Sequence, residues 1–211
     1  MPKPAVLWLH GLGDTGDGWK GAFGPLTSKA TFHHPTAPIQ PVTSPVHQGE
    51  CMTSWFDIKT WPISINEPEG PDGISETVGK IHEKLEAIEA SGTESTRIVL
   101  GGFSQGGTVA ILAGLSYPRK LAGIISISGW GAYRQSLPPK VLEANKATPV
   151  LFSCGKGDPI VTFPLTHQTG EVLQSIMGDN ASIMHVERPC HPPESTEMMA
   201  AAKFIQAQLN L

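Results

Sequence analysis

The stretch LGGFSQGGTVAIL, residues 100–112, leaves one apolar segment, crosses a cluster of glycines around a single serine and enters a second apolar segment. The first segment has the composition of a short strand, and the second has that of a helix ending before Pro118. Ser104 therefore lies at a predicted strand-to-helix turn. The glycines serve either an ordinary sharp turn or a turn that presents the Ser104 hydroxyl.

The same alternation of elements continues on both sides of this turn. Short β-rich runs lie at residues 5–9, 31–34, 97–101, 121–128, 150–153 and 182–186. Apolar positions at helical spacing lie at residues 19–30, 74–88, 165–177 and 194–209. Strands that alternate with helices predict an α/β fold, with a mostly parallel central sheet and helices on both faces. Working residues of such sheets collect at the carboxyl ends of the strands.

Composition narrows the class of protein. The chain has 211 residues, of which 39% are hydrophobic, so we expect one domain spanning residues 1–211. A net charge of −4 without a Lys/Arg stripe argues against nucleic acid as a partner. We expect no signal peptide and no transmembrane segment. Three cysteines are an odd number and make a disulfide framework improbable, so we expect a cytoplasmic location.

A second glycine cluster competes with the first. Gly11, Gly13 and Gly16 form a Gly-x-Gly-x-x-Gly pattern after the first predicted strand, which is the context of a dinucleotide-binding loop. That fingerprint also requires an acidic residue about 20 positions further on, to bind the ribose. The corresponding stretch, TFHHPTAPIQPVT at residues 31–43, contains neither Asp nor Glu. The nucleotide interpretation is therefore weak.

The cluster around Ser104 fits a catalytic motif better. Residues 102–106 read Gly-x-Ser-x-Gly, the pattern of a nucleophile elbow, in which small neighbours let a strained turn close. A serine nucleophile needs a base and an orienting acid, in the chain order Ser, Asp, His for an α/β-hydrolase. Asp158 and His191 each follow a predicted strand, in that order. We therefore predict Ser104, Asp158 and His191 as a catalytic triad.

If Ser104 is a nucleophile, the glycines at residues 11–16 are better explained as part of an oxyanion hole. An oxyanion hole takes one amide from the residue after the nucleophile and another from a loop after an earlier strand, often with His-Gly. Gln105 supplies the first amide and Leu12, in the stretch HGLG at residues 10–13, the second. The other histidines are worse placed as the base, because they lie inside predicted elements or precede Ser104.

Several motifs resemble those of the acyl-protein thioesterase family, the small carboxylesterase/lysophospholipase group of α/β-hydrolases. The motifs are HGLGDTGDGW at 10–19, PTAPIQPVT at 35–43, SWFDI at 54–58, RIVLGGFSQGG at 97–107, LAGIISISGW at 121–130 and GDPIV at 157–161. The resemblance implies hydrolysis of long acyl thioesters on S-palmitoylated proteins, with activity on lysophospholipids and simple esters. It implies the same triad and oxyanion donors. The mechanism of such a triad calls for neither a cofactor nor a metal. The expected partners are S-acylated proteins or lysophospholipids as substrates, and transient contact with a membrane surface stays open.

The chain departs from the family around two of the triad residues. The family tends to have His-Gly before the acid loop, where this chain has Cys154-Gly155. It tends to have Gly-His-Ser around the base, where this chain has a cysteine before His191 and two prolines after it.

The segment IKTWPISINEPEG, residues 58–70, is open to two interpretations. Its alternation of apolar and polar residues between prolines is typical of a short edge strand. The family resemblance implies instead a flap, about residues 58–72, that covers a channel for the acyl chain. We therefore expect Trp61, Ile63 and Ile65, with Trp55 just before them, to contact the substrate.

Two other functions remain possible from the sequence. One is a carboxylesterase or lysophospholipase that acts on small or lipid esters. The other is a non-catalytic binding protein with the hydrolase fold, although such a protein would usually have lost a triad residue.

Overall fold

The computed structural model describes residues 2–211 and is built on a six-stranded sheet in which all neighbouring strands are parallel. The strands are β1 Ala5–Leu9, β2 Thr31–His33, β3 Ile39–Val42, β4 Glu50–Thr53, β5 Ile98–Phe103, β6 Gly123–Ile127, β7 Val150–Gly155 and β8 Ala181–Val186. The order in the six-stranded sheet is β2-β1-β5-β6-β7-β8. The strands β3 and β4 form a separate antiparallel pair.

Four α-helices cover the sheet. They are α1 Ile74–Ala90, α2 Gln105–Leu115, α3 Phe163–Met177 and α4 Ser195–Leu209. The predicted apolar face of residues 74–88 is the buried face of α1. Every residue of α2 is buried, so this helix needs no polar face, and it packs against α1, β1, β5 and β6. The predicted α/β fold is confirmed.

Alternation along β1 shows why this sheet is covered twice. Leu7 and Leu9 belong to one apolar core, which they share with α1, α2 and α3. Val6 and Trp8 point the other way, into a second core with α4. Successive side chains of a strand point to opposite faces, so a strand buried on both sides is apolar throughout, as AVLWL is.

The region after β1 differs from a regular helix. Trp19, Phe23 and Leu26 are buried at helical spacing, but Trp19 and Leu26 lie on two short 3₁₀ segments, Gly16–Trp19 and Gly24–Ser28, and Phe23 lies in the turn between them. Gly24 adopts a positive φ of 45°, and Pro25 follows it. Glycine at a positive φ and proline both interrupt an α-helix, so only the burial pattern survives.

The stretch between residues 35 and 72, irregular by sequence, contains the antiparallel hairpin β3–β4. Its turn carries the residues at positive φ, Gln48 and Gly49. Beyond the hairpin, residues 58–70 form a loop whose one β-bridge joins Ile63 to Val161 in parallel. This segment is therefore a loop tied to the turn after β7 rather than an edge strand with a ladder.

Parallel strands end at one edge of the sheet, and that edge positions the site. The loops after β1, β5, β7 and β8 carry His10, Ser104, Asp158 and His191 respectively. Among the residues described, none of the helices combines the length and apolar character needed to cross a bilayer.

Candidate active site

The turn at Ser104 is strained, and its glycines make it possible. Ser104 has φ 54° and ψ −121°, a backbone conformation unusual for any residue with a side chain. A Cβ on Gly102 would stand 2.5 Å from the carbonyl oxygen of Gly106, and a Cβ on Gly106 would stand 2.3 Å from that of Leu9. The Ser104 amide donates to the Ile127 carbonyl oxygen at 2.8 Å. The chain therefore holds the serine where β5 becomes α2.

The three residues predicted as a triad lie in hydrogen-bond contact. His191 Nε2 is 2.7 Å from Ser104 Oγ, and His191 Nδ1 is 2.7 Å from Asp158 Oδ2. A carboxylate only accepts, so Nδ1 carries the hydrogen and Nε2 of the neutral ring is free to accept the serine proton. All three side chains are at least nine-tenths buried.

The carboxyl group of Asp158 is held by the backbone of its own loop. Its second oxygen, Oδ1, accepts the amides of Ile160 at 2.9 Å and Val161 at 3.0 Å. Burial alone raises the pKa of Asp158, but the hydrogen bond and charge of His191 and the two amides outweigh it, and the pKa lies below its ordinary value. The carboxylate is therefore ionised whenever the base is in use.

The loop that carries Leu12 approaches the serine closely. A Cβ on Gly11 would be 3.1 Å from the ring of Phe103 and 3.4 Å from the Cβ of Ser104, so the loop lies directly against the turn. His10 supports this loop from beneath: its Nε2 accepts the Ala37 amide at 3.0 Å, which leaves Nδ1 to donate to the Gly11 carbonyl oxygen at 2.6 Å. Burial lowers the pKa of His10, which favours this neutral form.

The side chain of Gln105 is used entirely in hydrogen bonds to residues 54–56, which leaves only its main-chain amide free. Its amide nitrogen Nε2 donates to Ser54 Oγ at 2.9 Å and to the Phe56 carbonyl oxygen at 2.6 Å. Its Oε1 accepts the Trp55 amide at 2.9 Å. As the first residue of α2, Gln105 has a backbone N–H without an intrahelical acceptor, at the positive end of the helix dipole.

An apolar cavity of about 200 Å³ opens beside Ser104 and His191. Of the four residues expected to contact the substrate, Trp61 and Ile63 line it. The Trp61 ring meets the edge of His47 with centroids 4.8 Å apart. The cavity is completed by Gly11, Leu12, Asp14, His47, Met52, Ile58, Phe103 and Ile160.

Trp55 and Ile65 lie outside this cavity, contrary to the expectation from sequence. The Trp55 indole is buried behind the loop after β1 and donates to the His10 carbonyl oxygen at 2.8 Å. Ile65 is 54% exposed on the outer side of the loop. Residues 63 and 65 point the same way only in a regular strand, and the loop makes just one bridge, so Ile63 turns inward while Ile65 faces solvent.

Arg188 and Glu197 are residues of the site that sequence reasoning missed. Both side chains are fully buried, and Arg188 Nη1 lies 3.2 Å from Asp158 Oδ2. Two charged residues close to the predicted base, in the stretch ERPCHPPESTE, are a weak signal because charged residues usually lie on the surface. Only the fold shows that these two point inward.

The chain matches known proteins along nearly its whole length. A profile of the family described as Phospholipase/Carboxylesterase matches residues 1–209. Acyl-protein thioesterase 1 of Schizosaccharomyces pombe is 36% identical over 210 residues, which are 95% of this chain and 89% of that protein. Carboxylesterase SOBER1 of Arabidopsis thaliana is 34% identical over 171 residues, 77% of this chain and 72% of that protein.

Solved structures agree with these sequence matches. The crystal structure of Arabidopsis thaliana SOBER1 superimposes with a TM-score of 0.90 at 28% identity, covering 98% of this chain and 99% of that one. Acyl-protein thioesterase 2 of Zea mays superimposes with a TM-score of 0.83 at 25% identity, covering 99% and 95%. The chain therefore has the α/β-hydrolase fold and belongs to the Phospholipase/Carboxylesterase family, that of the acyl-protein thioesterases.

Proposed function

We propose that this hydrolase cleaves acyl thioesters and esters through an acyl-enzyme on Ser104. The observation that carries the proposal is the unbroken chain of hydrogen bonds from Ser104 Oγ through His191 to Asp158, each 2.7 Å long. A non-catalytic binding protein would have no need to maintain a strained serine within reach of a histidine that a buried carboxylate orients.

Each side chain has a role that follows from its position. Ser104 attacks the acyl carbonyl carbon while His191 Nε2 accepts the hydroxyl proton, and Asp158 stabilises the imidazolium that forms. The amides of Leu12 and Gln105 would bind the oxyanion of the tetrahedral intermediate. His191 then returns the proton to the leaving thiol or alcohol. A water molecule, deprotonated by the same base, releases the acyl group as a carboxylic acid.

The preferred substrates are S-acylated proteins with long acyl chains. The support is the relatives named acyl-protein thioesterases and the apolar cavity beside the nucleophile. Each methylene of an acyl chain buried there would contribute about 0.8 kcal/mol to binding. The second candidate is a carboxylesterase acting on small esters or lysophospholipids. It is favoured by the cavity's volume of about 200 Å³ and by Trp61 lying against His47.

A panel of matched substrates separates these candidates. Thioesters and oxygen esters with acyl chains of 2 to about 16 carbons are compared by kcat/KM on the purified enzyme. A rise of at least about tenfold from the shortest to the longest thioester supports the thioesterase proposal. A maximum at acetyl or butyryl esters rejects it in favour of the small-ester candidate.

Two further proposals accompany this one. Residues 1–211 act as one domain, with residues 58–72 as the flap over the acyl cavity. The enzyme works in the cytoplasm, with transient contact to membrane surfaces where its acylated substrates lie, and without nucleic acid, metal or cofactor. The three free cysteines are consistent with a reducing compartment.

A further inference from the structure

A cluster of buried charges lies directly beneath the catalytic triad. It consists of Asp158, Arg188 and Glu197, whose side chains are 1%, 0% and 0% exposed. Charged side chains are rarely buried to this extent unless they are paired, because removing each one from water is costly. The proposed hydrolytic mechanism uses only Asp158, so the presence of the other two requires an explanation.

Arg188 joins the loop of the base to the loop of the acid. Its Nη1 donates to the carbonyl oxygens of Cys190 and, at 2.8 Å, of His191, and lies 3.2 Å from Asp158 Oδ2. Its Nη2 donates to Ser128 Oγ at the end of β6. One guanidinium therefore contacts both the acid and the backbone of the base.

The acid loop has glycines where Arg188 passes beneath it. A Cβ on Gly155 would stand 2.6 Å from Arg188 Cζ, and a Cβ on Gly157 would stand 2.6 Å from the Arg188 carbonyl oxygen. Gly155 therefore leaves space for the guanidinium, and Gly157 leaves space for the backbone of Arg188. The acid loop and the Arg188 segment are closely packed at both positions.

Glu197 holds the other side of Arg188. Its Oε2 is 3.0 Å from Arg188 Nε and accepts the Glu194 amide at 2.9 Å in the capping box that begins α4. Its Oε1 accepts the hydroxyl of Ser153 on β7. Glu197 therefore connects α4 and the sheet to the guanidinium.

The charges of this cluster change in a definite way during the proposed reaction. With His191 neutral, Asp158, Arg188 and Glu197 sum to −1. When His191 accepts the serine proton, the total charge of these three residues and His191 becomes zero. Without Glu197 the same proton transfer would take the total charge of Asp158, Arg188 and His191 from zero to +1, which a buried site disfavours.

We propose that Arg188 and Glu197 are positioning residues of the hydrolytic reaction. Arg188 fastens the loop carrying His191 against Asp158. Glu197 balances the guanidinium charge, so that the imidazolium form of His191 can develop. This inference rests on the proposed function and extends it to two residues outside the triad.

Five other charged or titratable residues lie near His191 or near the buried cluster. Asp14 and His47 line the same cavity. Cys154 lies beneath the cluster, where burial, with a contribution from the charge of Glu197, raises the pKa of its thiol to about 11, so it is uncharged at neutral pH. Lys156 and Glu187 pair with each other at the exposed surface of the same two loops.

The test measures the rate of Ser104 phosphonylation by a fluorophosphonate as a function of pH. This rate requires neutral His191, so it falls at low pH as the ring becomes protonated. The pH at which it falls, the acid limb of the profile, therefore reports how readily His191 accepts a proton. Glu197→Gln removes a negative charge and disfavours the imidazolium, so the limb moves to lower pH, by roughly one unit. Arg188→Gln removes a positive charge, so the limb moves to higher pH by roughly the same amount.

Two further variants separate charge from shape. The double variant Arg188→Gln/Glu197→Gln restores the net charge and should return the limb to within about 0.3 unit of wild type, at a reduced plateau rate. Arg188→Lys keeps the charge, but its single ammonium nitrogen cannot reach Asp158, Ser128 and Glu197 from the separate positions that Nη1, Nη2 and Nε occupy, so the plateau should fall by about tenfold with the limb unmoved. Glu187→Gln, an exposed neighbour, is the matched control and leaves both unchanged.

The outcomes distinguish this inference from the proposed function. Wild-type protein that is not phosphonylated at Ser104 overturns the proposed function itself. Normal labelling with single charge-removing variants whose limbs stay in place, or move in the same direction, overturns the inference alone. If those variants fail to fold, Arg188→Lys still decides, because a wild-type plateau rate in that variant rejects the positioning role.

Discussion

The turn at Ser104 and the loop proposed as a flap, residues 58–72, lie on either side of the same cavity, yet the chain holds them by different means. The turn at Ser104 takes its shape from adjacent residues, because Gly102 and Gly106 let β5 meet α2 within five positions, and the neighbouring strands β1 and β6 pack directly against it. The loop of residues 58–70 is braced internally by Glu67, whose carboxylate accepts the amides of Lys59 and Thr60, but a distant residue ties it to the rest of the molecule. Arg134 Nη2 donates to the carbonyl oxygens of Ile65 at 2.7 Å and Glu67 at 3.1 Å.

This difference separates what must stay rigid from what can open. Ile63 exchanges backbone hydrogen bonds with the turn after Asp158: its amide donates to the Ile160 carbonyl oxygen at 2.8 Å, and its carbonyl oxygen accepts the Thr162 amide at 2.9 Å. A few such bonds can break and reform, whereas the turn at Ser104 could rearrange only by unfolding α2 or β5.

Removing the nucleophile or the base should give the largest effect. Ser104→Ala and His191→Ala should each lower kcat by about 10⁴-fold or more, because triad residues act as a unit. Both should leave the melting temperature near that of wild type, since neither residue supports a large part of the core. A near wild-type rate in His191→Ala would show that the base has been assigned wrongly.

A series along the flap should separate the cavity wall from the core. Trp61→Ala should lower kcat/KM for long acyl substrates by roughly tenfold or more while short acetyl esters react almost as before, because this residue lines the cavity. Ile63→Ala should also lower the free energy of unfolding by about 2–5 kcal/mol, because Ile63 is 1% exposed and belongs to the core.

Ile65→Ala is the matched control for this series. Ile65 is an exposed isoleucine two residues away, so neither selectivity nor stability should change by more than about 0.5 kcal/mol. Chain-length panels and denaturant unfolding of the three variants provide the measurement. Loss of long-chain activity in Ile65→Ala would move the acyl chain to the outer side of the flap.

The sequence predicts the parts of the site that depend on a local motif, and it does not predict the parts that depend on contacts with distant residues. Ser104, Asp158 and His191 follow from one motif and from the order of the strands, because parallel strands bring their carboxyl ends together. The contrast between inward Ile63 and outward Ile65 does not follow, since it depends on a single bridge to Val161. Arg188 and Glu197 could not be identified as buried, because nothing local distinguishes them from surface charges.

The fold, too, could be predicted from the sequence only in part. The apolar alternation predicted the strands of the central sheet and the helices that cover it. The 3₁₀ segments of residues 16–28 could not be predicted from the sequence, because apolar spacing indicates which side chains are buried and not which backbone hydrogen bonds form. The β3–β4 hairpin was hidden because it is mostly polar or exposed, with Ile39 74% exposed.

Weakening the hydrogen bonds that hold the proposed flap should have a smaller effect than substituting the residues that line the cavity. Arg134→Met removes two charge-assisted hydrogen bonds, so the flap should open more easily by about 1.5–3 kcal/mol. Hydrogen exchange at the amides of residues 63–70 should accelerate correspondingly, while that of α2 stays slow. Arg119→Met, at a 43% exposed ion-pair site, should leave flap exchange unchanged. Unaltered exchange in Arg134→Met would show that the clamp is not what holds the flap.

The smallest effect concerns cysteine reactivity. Burial raises the pKa of the Cys154 thiol to about 11, so the thiolate that reacts with iodoacetamide is scarce at every pH below that value. Cys51 and Cys190 are exposed. Alkylation at pH 8 followed by peptide mass spectrometry should therefore modify these two and spare Cys154. Rapid modification of Cys154 would mean that the packing beneath the triad is looser than described.

The most direct test of the account is to identify the residue that a fluorophosphonate modifies. Trypsin releases residues 98–119 as one peptide, which contains both Ser104 and Ser116. We predict a single phosphonate on Ser104, no labelling in Ser104→Ala, and loss of labelling when an acyl substrate is present in excess. Modification of Ser116 or of a serine elsewhere, or labelling that persists in Ser104→Ala, would contradict the assignment of Ser104, His191 and Asp158 as the catalytic triad.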